Sequence, residues 1–473
     1  MSIFHSNLGK DKISEILKNK DVKIHFVGVG GVGMYSLFVL SSKLGYSVSG
    51  SDREISPLAN SLIDAGHDVK IGHAEENARG ASLLVYSLAI GEDNPELCYA
   101  QNNGIPRISR AEYLGFIMEN YVSRISVSGS HGKSTTTAMI AKIFEAAAKN
   151  PTVVSGAALP SSKLPIRIGG EDFLIFEGCE YKDSFLYFTP TVSVFTNLEL
   201  DHVDYFDGID SLKSSFLKAM NLTQISVVNT DDENLRELIP FVKAKTVTFG
   251  SLGDADYRVY TKEWKTGLYE LKIEREGELV LDVRLSIPAR FNAMNAAAAA
   301  TVALELGIAS ESISRALSNF SGIERRMEKL CNLGSCEVYY DYAHHPTEIR
   351  SVISAIRETT GKEVAVIFKP HTYSRTAGLM NEFVSALSLA DRVFICEISA
   401  IREKAIDGIN ASSLVSLIGD KAAKLNDDDV LDAIEDIENS AIIIMGAANL
   451  DKVKKMILES EKTRKNGREN EKR

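Results

Sequence analysis

An apolar, strand-forming run that ends in Gly129-Ser130-His131-Gly132-Lys133-Ser134-Thr135 and opens directly into a helical pattern restricts this chain more than any other feature. Glycines at a strand-to-helix turn let backbone N–H groups close around phosphate oxygens. The helix start adds a positive dipole, Lys133 a point charge, and Ser134 a hydroxyl able to ligate Mg2+. The stretch reads as a nucleotide phosphate site at the carboxyl end of a strand, and so as part of an α/β domain. It is not a full Walker A string, because the residue five before Gly132 is Val127; what stands is the shorter Gly-x-x-Gly-Lys-Ser. The plain alternative is a glycine turn capping an ordinary helix beside a surface lysine.

At 473 residues the chain is too long for one core and is expected to form about three domains. With 53 basic against 64 acidic residues, the net charge of −11 argues against a nucleic-acid partner. The five cysteines (Cys98, Cys179, Cys331, Cys336, Cys396) show no C-x-x-C spacing, so neither a disulfide framework nor a zinc site is expected. Charges run through the first twenty residues, unlike a signal peptide, and no run approaches the ~18 apolar residues of a spanning helix. A cytoplasmic enzyme without membrane insertion is expected. The polar end, EKTRKNGRENEKR, reads as a frayed, solvated tail.

Three α/β series follow one another. VKIHFVGV, a helix over Met34 to Leu44, YSVSGSD, a helix near 57–65, HDVKIG and ASLLVYS make the first. RISVSGS opens the second, which continues through FLIFE and TVSVFTN, turns β-rich over about 246–288, and closes with the alanine-rich helix FNAMNAAAAATVALELG. After a candidate hinge at Ser321–Arg326, CEVYYD, EVAVIF, DRVFICEI and AIIIMG make the third. The expected boundaries are 1–121, 122–322 and 323–473.

Gly28-Val29-Gly30-Gly31-Val32-Gly33 fits G-x-G-x-x-G between a strand and a helix, with Asp52 closing the next strand. Alone this suggests an NAD-dependent oxidoreductase, but the construction binds any pyrophosphate. A dehydrogenase has little use for a second phosphate site at Lys133 and Ser134. Glu177 and His202 each stand just past a buried-looking strand of the second series, where ligands of open sheets bind; with Ser134 they could hold Mg2+. The alternative for Asp201-His202 is helix capping. In the third series, Asp341-Tyr342-Ala343-His344-His345-Pro346 and Lys369-Pro370-His371-Thr372-Tyr373-Ser374-Arg375 follow strands, and Arg375 offers a planar fork for carboxylate or phosphate.

In this order HFVGVGGVGM, GSHGKSTTT, NLELDHVDYF, RRME, DYAHHPTE, KPHTYSRT and IMGAAN resemble the Mur ligases over nearly the whole chain. The resemblance implies a Rossmann-like UDP-binding N-terminal domain, a central P-loop ATPase-like domain and a Rossmann-like C-terminal domain. It also implies an ATP- and Mg2+-dependent ligase acting on small molecules, as a monomer or weak homodimer. The implied reaction joins L-alanine to the lactyl carboxylate of UDP-N-acetylmuramate through an acyl phosphate; a tripeptide acceptor is the implied alternative. Carried over by position, Gly30, Gly31, Gly33, Asp52, His73 and Ser87 lie at the UDP-sugar. Gly129 to Thr135, including Ser130 and His131, bind ATP with Asn292, Arg326 and Asp341. Lys133, His202 and His344 are catalytic, Ser134, Glu177 and His202 hold the metal, and His344, His371 and Arg375 meet the amino acid. Departures from the family pattern are Phe291 before Asn292, Cys179 in EGCEYKDSF, and Ala448-Asn449.

Overall fold

The structure, a computed structural model, describes residues 10–399, 403–447 and 450–470. Contacts divide the chain into two compact units. The first holds the residues up to Leu198 with Lys213–Tyr257 and Ala298–Ile313; the second holds Glu199–Leu212, Arg258–Ala297 and the rest from Ser314.

The first unit carries two sheets. One is formed by β1 (Lys23–Val27), β2 (Ser47–Asp52), β3 (Asp68–Ile71), β4 (Leu83–Tyr86) and β5 (Arg107–Ser109), in the order β3-β2-β1-β4-β5. All its pairs are parallel. Near-continuous burial of Ile24 to Val27 and Leu83 to Tyr86 is what a sheet covered on both faces requires. The order reverses between β1 and β4, so the loops that leave these two strands open a crevice at their carboxyl ends. Gly28–Gly33 leaves β1 and Ser87 leaves β4.

The second sheet of this unit comprises β6 (Ser123–Ser128), β7 (Thr152–Val154), β8 (Ile166–Arg167), β9 (Phe173–Gly178), β10 (Val192–Phe195), β11 (Ile225–Asn229) and β12 (Lys245–Gly250). The order is β12-β11-β10-β6-β9-β7-β8, with only the β7/β8 pair antiparallel among the pairs of this stretch. β6 lies between β9 and β10; the chain leaves β6 toward β7 on one side and returns from β9 past β6 to β10 on the other. The loop after β6 is thereby flanked by the ends of both neighbours.

In the second unit β13 (Tyr257–Lys265), β14 (Leu268–Arg275) and β15 (Glu278–Pro288) are neighbours in that order, with β14 and β15 antiparallel. The β-rich stretch read as the far part of the central series groups by its contacts with the second unit from Arg258 onward. The turn before β14 lies against the helix Pro346–Thr360, so closely that a Cβ on Gly267 would stand 2.3 Å from Thr359 Oγ1. A six-stranded sheet follows: β16 (Glu328–Leu333), β17 (Cys336–Asp341), β18 (Glu363–Phe368), β19 (Arg392–Ile395), β20 (Ala422–Lys424) and β21 (Ser440–Met445), ordered β16-β17-β21-β18-β19-β20. It is parallel except for the β16/β17 hairpin.

The sequence reading passed over β5, β7, β8, β11, β16 and β20, most of them short. It also expected a frayed end, whereas a helix runs over Asp451–Asn470. Lys, Glu and Arg are good helix formers, and Lys455 and Glu459 pair at 3.8 Å one turn apart. Ala448-Asn449 and the first nine residues lie outside the described residues. Among the described residues no helix is long and apolar enough to cross a membrane.

Candidate active site

The loop after β6 is built from its neighbours. Gly129 adopts φ +146°, and a Cβ there would fall 2.1 Å from Thr196 Oγ1, so only glycine fits. Asn197, just past β10, accepts from the His131 N–H through Oδ1 at 2.7 Å and from the Ser130 N–H through its carbonyl at 3.2 Å; its Nδ2 donates to the His131 carbonyl at 3.0 Å. Gly132 then enters the helix Lys133–Ala146 at φ +82° with no side-chain cap. The first-turn N–H groups have no acceptor within the helix, and the dipole points the same way: this is a place for an anion.

Lys133 Nζ donates to the carbonyls of Gly129 (2.5 Å) and Ser130 (3.1 Å) and to both oxygens of Glu180 (3.1 and 3.0 Å). Burial pulls the ammonium down, but Glu180, with Cys179 and Glu177 behind it, more than offsets this and holds the charge. Glu180, the partner of Lys133, is a residue of this candidate site that the sequence reading did not single out. Glu177, last but one in β9 and opposite Val127, accepts from Ser155 Oγ (3.1 Å) and the Gly156 N–H (2.5 Å). Ser134 is buried in the first helical turn. Burial, reinforced by Glu180, keeps the Cys179 thiol protonated well past neutrality.

At the other sheet, Asp52 Oδ2 accepts from the Gly30 N–H at 2.7 Å, tying the glycine loop to the end of β2. A Cβ on Gly28 would stand 3.8 Å from that of Ser87, so Ser87 borders this loop. His73 donates from Nδ1 to Glu96 Oε1 at 3.3 Å; Glu96 also accepts from His25 Nε2 (3.2 Å), Ser51 Oγ (2.5 Å) and Asn77 Nδ2 (2.8 Å). Burial opposes the Glu96 charge, yet these donors hold the carboxyl far below its usual range. Gly30, Gly31, Gly33, Asp52, His73 and Ser87 thus share one sheet edge.

The second unit gathers the remaining candidates. Arg375, in the helix Tyr373–Gly378 capped by Thr372, grips Asp201 with both ends of its fork, Nε to Oδ1 at 3.0 Å and Nη2 to Oδ2 at 3.2 Å. Burial disfavours the Asp201 charge, but Arg375, His202, His344 and His345 hold the carboxyl well below the usual range. His202 follows it with φ +55°, its Nε2 4.0 Å from Asp201 Oδ2. His371 lies in the loop between β18 and the Arg375 helix, half-buried. Asp341, at the end of β17, accepts from the N–H groups of Met327 (2.6 Å) and Ala343 (2.7 Å); burial pushes its carboxyl up to about 6, against the Arg326 charge. Arg326 lies 5.0 Å over the Tyr342 ring and 3.8 Å from Glu348. Asn292 donates to the Pro288 carbonyl at 2.7 Å and accepts from Asn295 at 3.3 Å.

His344 Nδ1 lies 3.0 Å from the Tyr342 carbonyl, which only accepts, so the proton sits on Nδ1 and the lone pair on Nε2. Burial brings its pKa down to about 4, against the pull of Glu348. Unfolded histidine titrates near 6.5, so between that value and about 4 the unfolded chain binds the extra proton and stability falls as pH drops. Urea unfolding should therefore show a loss of about 2 kcal/mol between pH 7 and pH 5 that His344→Gln removes.

Models of Mur ligase domains match three consecutive segments: the Mur ligase family catalytic domain over residues 23–122, the Mur ligase middle domain over 127–303, and the Mur ligase glutamate ligase domain over 325–448. The chain belongs to the Mur ligase family, and is an ATP-dependent ligase that forms amide bonds. Among its relatives, the UDP-N-acetylmuramate–L-alanine ligase of Clostridium tetani is 35% identical over 92% of this chain and 98% of its own. That of Caldicellulosiruptor bescii is 38% identical over 83% of this chain and 87% of its own. The solved UDP-N-acetylmuramate–alanine ligase of Thermotoga maritima superposes with TM-score 0.80 at 26% identity, covering 93% of this chain and 99% of that one. A murein peptide ligase from Psychrobacter arcticus shares the fold, with TM-score 0.74 at 22% identity over 93% and 98%.

Proposed function

We infer that this chain joins L-alanine to the lactyl carboxylate of UDP-N-acetylmuramate at the expense of ATP, in cytoplasmic peptidoglycan precursor synthesis. The observation that carries the reading is the end-to-end similarity to ligases of that name, 35% over 92% of this chain. The Lys133 loop supports it chemically. Its domains are taken as 1–121 for the UDP-sugar, 122–322 for ATP and 323–473 for the amino acid, and its partners as small molecules only.

The carboxylate oxygen attacks the γ-phosphorus of ATP, ADP leaves, and an acyl phosphate results. The alanine amine then attacks the acyl carbon, and inorganic phosphate leaves as the amide forms. The loop N–H groups and Lys133 hold the phosphates, and the ammonium stands where negative charge gathers as two anions approach. Glu180 keeps that ammonium charged and fixes its position. Ser134 and Glu177 carry oxygens of the kind a hard cation prefers and would hold Mg2+, with His202 as a further candidate ligand. When bound, the cation neutralises charge on the phosphoryl oxygens. Neutral His344, with its lone pair on Nε2, can take the proton the amine sheds, and Arg375 suits the amino acid's carboxylate.

The test is phosphate release from Mg-ATP and UDP-N-acetylmuramate with amino acids added singly. Release that depends on alanine is expected; release only with a murein tripeptide, or none with either, would overturn the assignment.

A further inference from the structure

Arg110 opens the helix Arg110–Ile117, whose cap is complete without it: Ser109 Oγ accepts from the Glu112 N–H at 3.2 Å, and Glu112 Oε2 accepts from the Ser109 N–H at 2.7 Å. A cation in a first helical turn opposes the helix dipole, which favours acids there. The Arg110 side chain makes no hydrogen bond and no ion pair among the described residues, although it is partly buried. Local rules broken without a structural gain are a mark of functional positions.

Its placement says what the charge is for. The side chain crosses directly over the third glycine of the G-x-G-x-x-G loop, where a Cβ on Gly33 would meet Arg110 Cδ at 2.9 Å, Nη1 at 3.1 Å and Nε at 3.3 Å. Gly33 is therefore needed for a second reason besides backbone approach to a ligand: any larger residue would displace the guanidinium. The charge is also felt at the Cys179 thiol, next to the Lys133–Glu180 pair, so it lies on the side of the glycine loop that faces the phosphate loop within the first unit.

We propose that Arg110 clamps the diphosphate of the UDP-sugar, its planar fork closing over the oxygens that the glycine-loop N–H groups hold from below. The inference rests on the UDP-sugar reading of the glycine loop. A glycine loop of this construction meets pyrophosphate, and a guanidinium over its third glycine supplies the charge that the loop itself lacks, since its own fixed side chain, Asp52, is negative.

Isothermal titration of the full chain with UDP-N-acetylmuramate and with UDP-N-acetylglucosamine, which has the same diphosphate and no lactyl carboxylate, separates the sources of negative charge. Arg110→Ala should weaken both roughly ten- to a hundredfold, and Arg110→Lys by less, because a point charge replaces a two-pronged donor. The KM for ATP and the melting temperature should stay put, as the side chain holds no partner in the protein. Loss confined to UDP-N-acetylmuramate would move Arg110 to the carboxylate and overturn the diphosphate clamp. Unchanged binding of both by Arg110→Ala would overturn any anion role, and wild-type protein that binds neither would overturn the UDP-sugar reading and the clamp with it.

Discussion

Replacing Lys133 by alanine should lower alanine-dependent phosphate release by at least about three orders of magnitude, while the affinity for the UDP-sugar stays within about twofold. The first figure follows from where the ammonium sits. Its donors are aimed at the loop carbonyls and Glu180, the loop N–H groups proposed to take the phosphates lie in the same turn, and on that reading it is the charge that eases the approach of a carboxylate to ATP. The second follows from the separate sheet edge that carries Gly30, Asp52 and Ser87. Removing the lysine does a second harm, because Glu180 is 3% exposed and would face incoming phosphates without its ammonium partner. Stability should drop by about 3 kcal/mol for the same reason. Adding Glu180→Gln should recover most of that stability and none of the turnover, which distinguishes a catalytic lysine from one that merely neutralises its neighbour. A Lys133→Ala enzyme that keeps a tenth of its turnover would sink this account of the loop.

The strand–turn–helix around Gly129 to Thr135 was legible because its information is local: glycines, a lysine and a hydroxyl in one short run between a strand and a helix. The residues that complete it were not, because they arrive from strands whose order the sequence does not give. Asn197 and Glu180 lie at the ends of β10 and β9, which become neighbours of the loop only because β6 pairs between them. Glu177 and Glu180 looked equivalent in EGCEYKDSF. Glu177 is still within β9 and turns toward Ser155 and Gly156, whereas Glu180 stands past the strand, before the left-handed bends at Lys182 and Asp183, and reaches Lys133. Asp201 was read only as a neighbour of His202, and no spacing rule links it to Arg375, 174 residues away. His344 was singled out as a base from its residue type. Burial holds it neutral, against the pull of the Tyr342 carbonyl, and that carbonyl fixes the lone pair on Nε2; both appear only in the fold.

Arg375→Ala should destabilise the fold by about 3 to 5 kcal/mol at neutral pH and raise the KM for alanine at least about a hundredfold. Asp201 is the reason for the first effect. Both side chains are largely buried, 9% and 12% exposed, so the variant leaves a carboxylate in the interior without the guanidinium that balances it. The pH dependence gives the sign. In the wild type the Asp201 pKa lies below its unfolded value, so its stabilising contribution is complete above about pH 4 and is lost only in stronger acid. Burial is the largest single influence on that carboxyl; without Arg375 it is no longer outweighed and raises the pKa, so the variant is penalised as pH rises and relieved as it falls. The gap between wild type and variant should accordingly be widest at pH 7 and shrink by pH 4 in urea unfolding. Arg375→Lys should recover part of the stability, since it restores a charge, but little of the alanine affinity, because an ammonium paired with Asp201 lacks the spare N–H donors that the guanidinium keeps beside those given to Asp201. A gap that stays constant from pH 7 to pH 4 would show that Arg375 stabilises the fold by packing, with Asp201 a bystander.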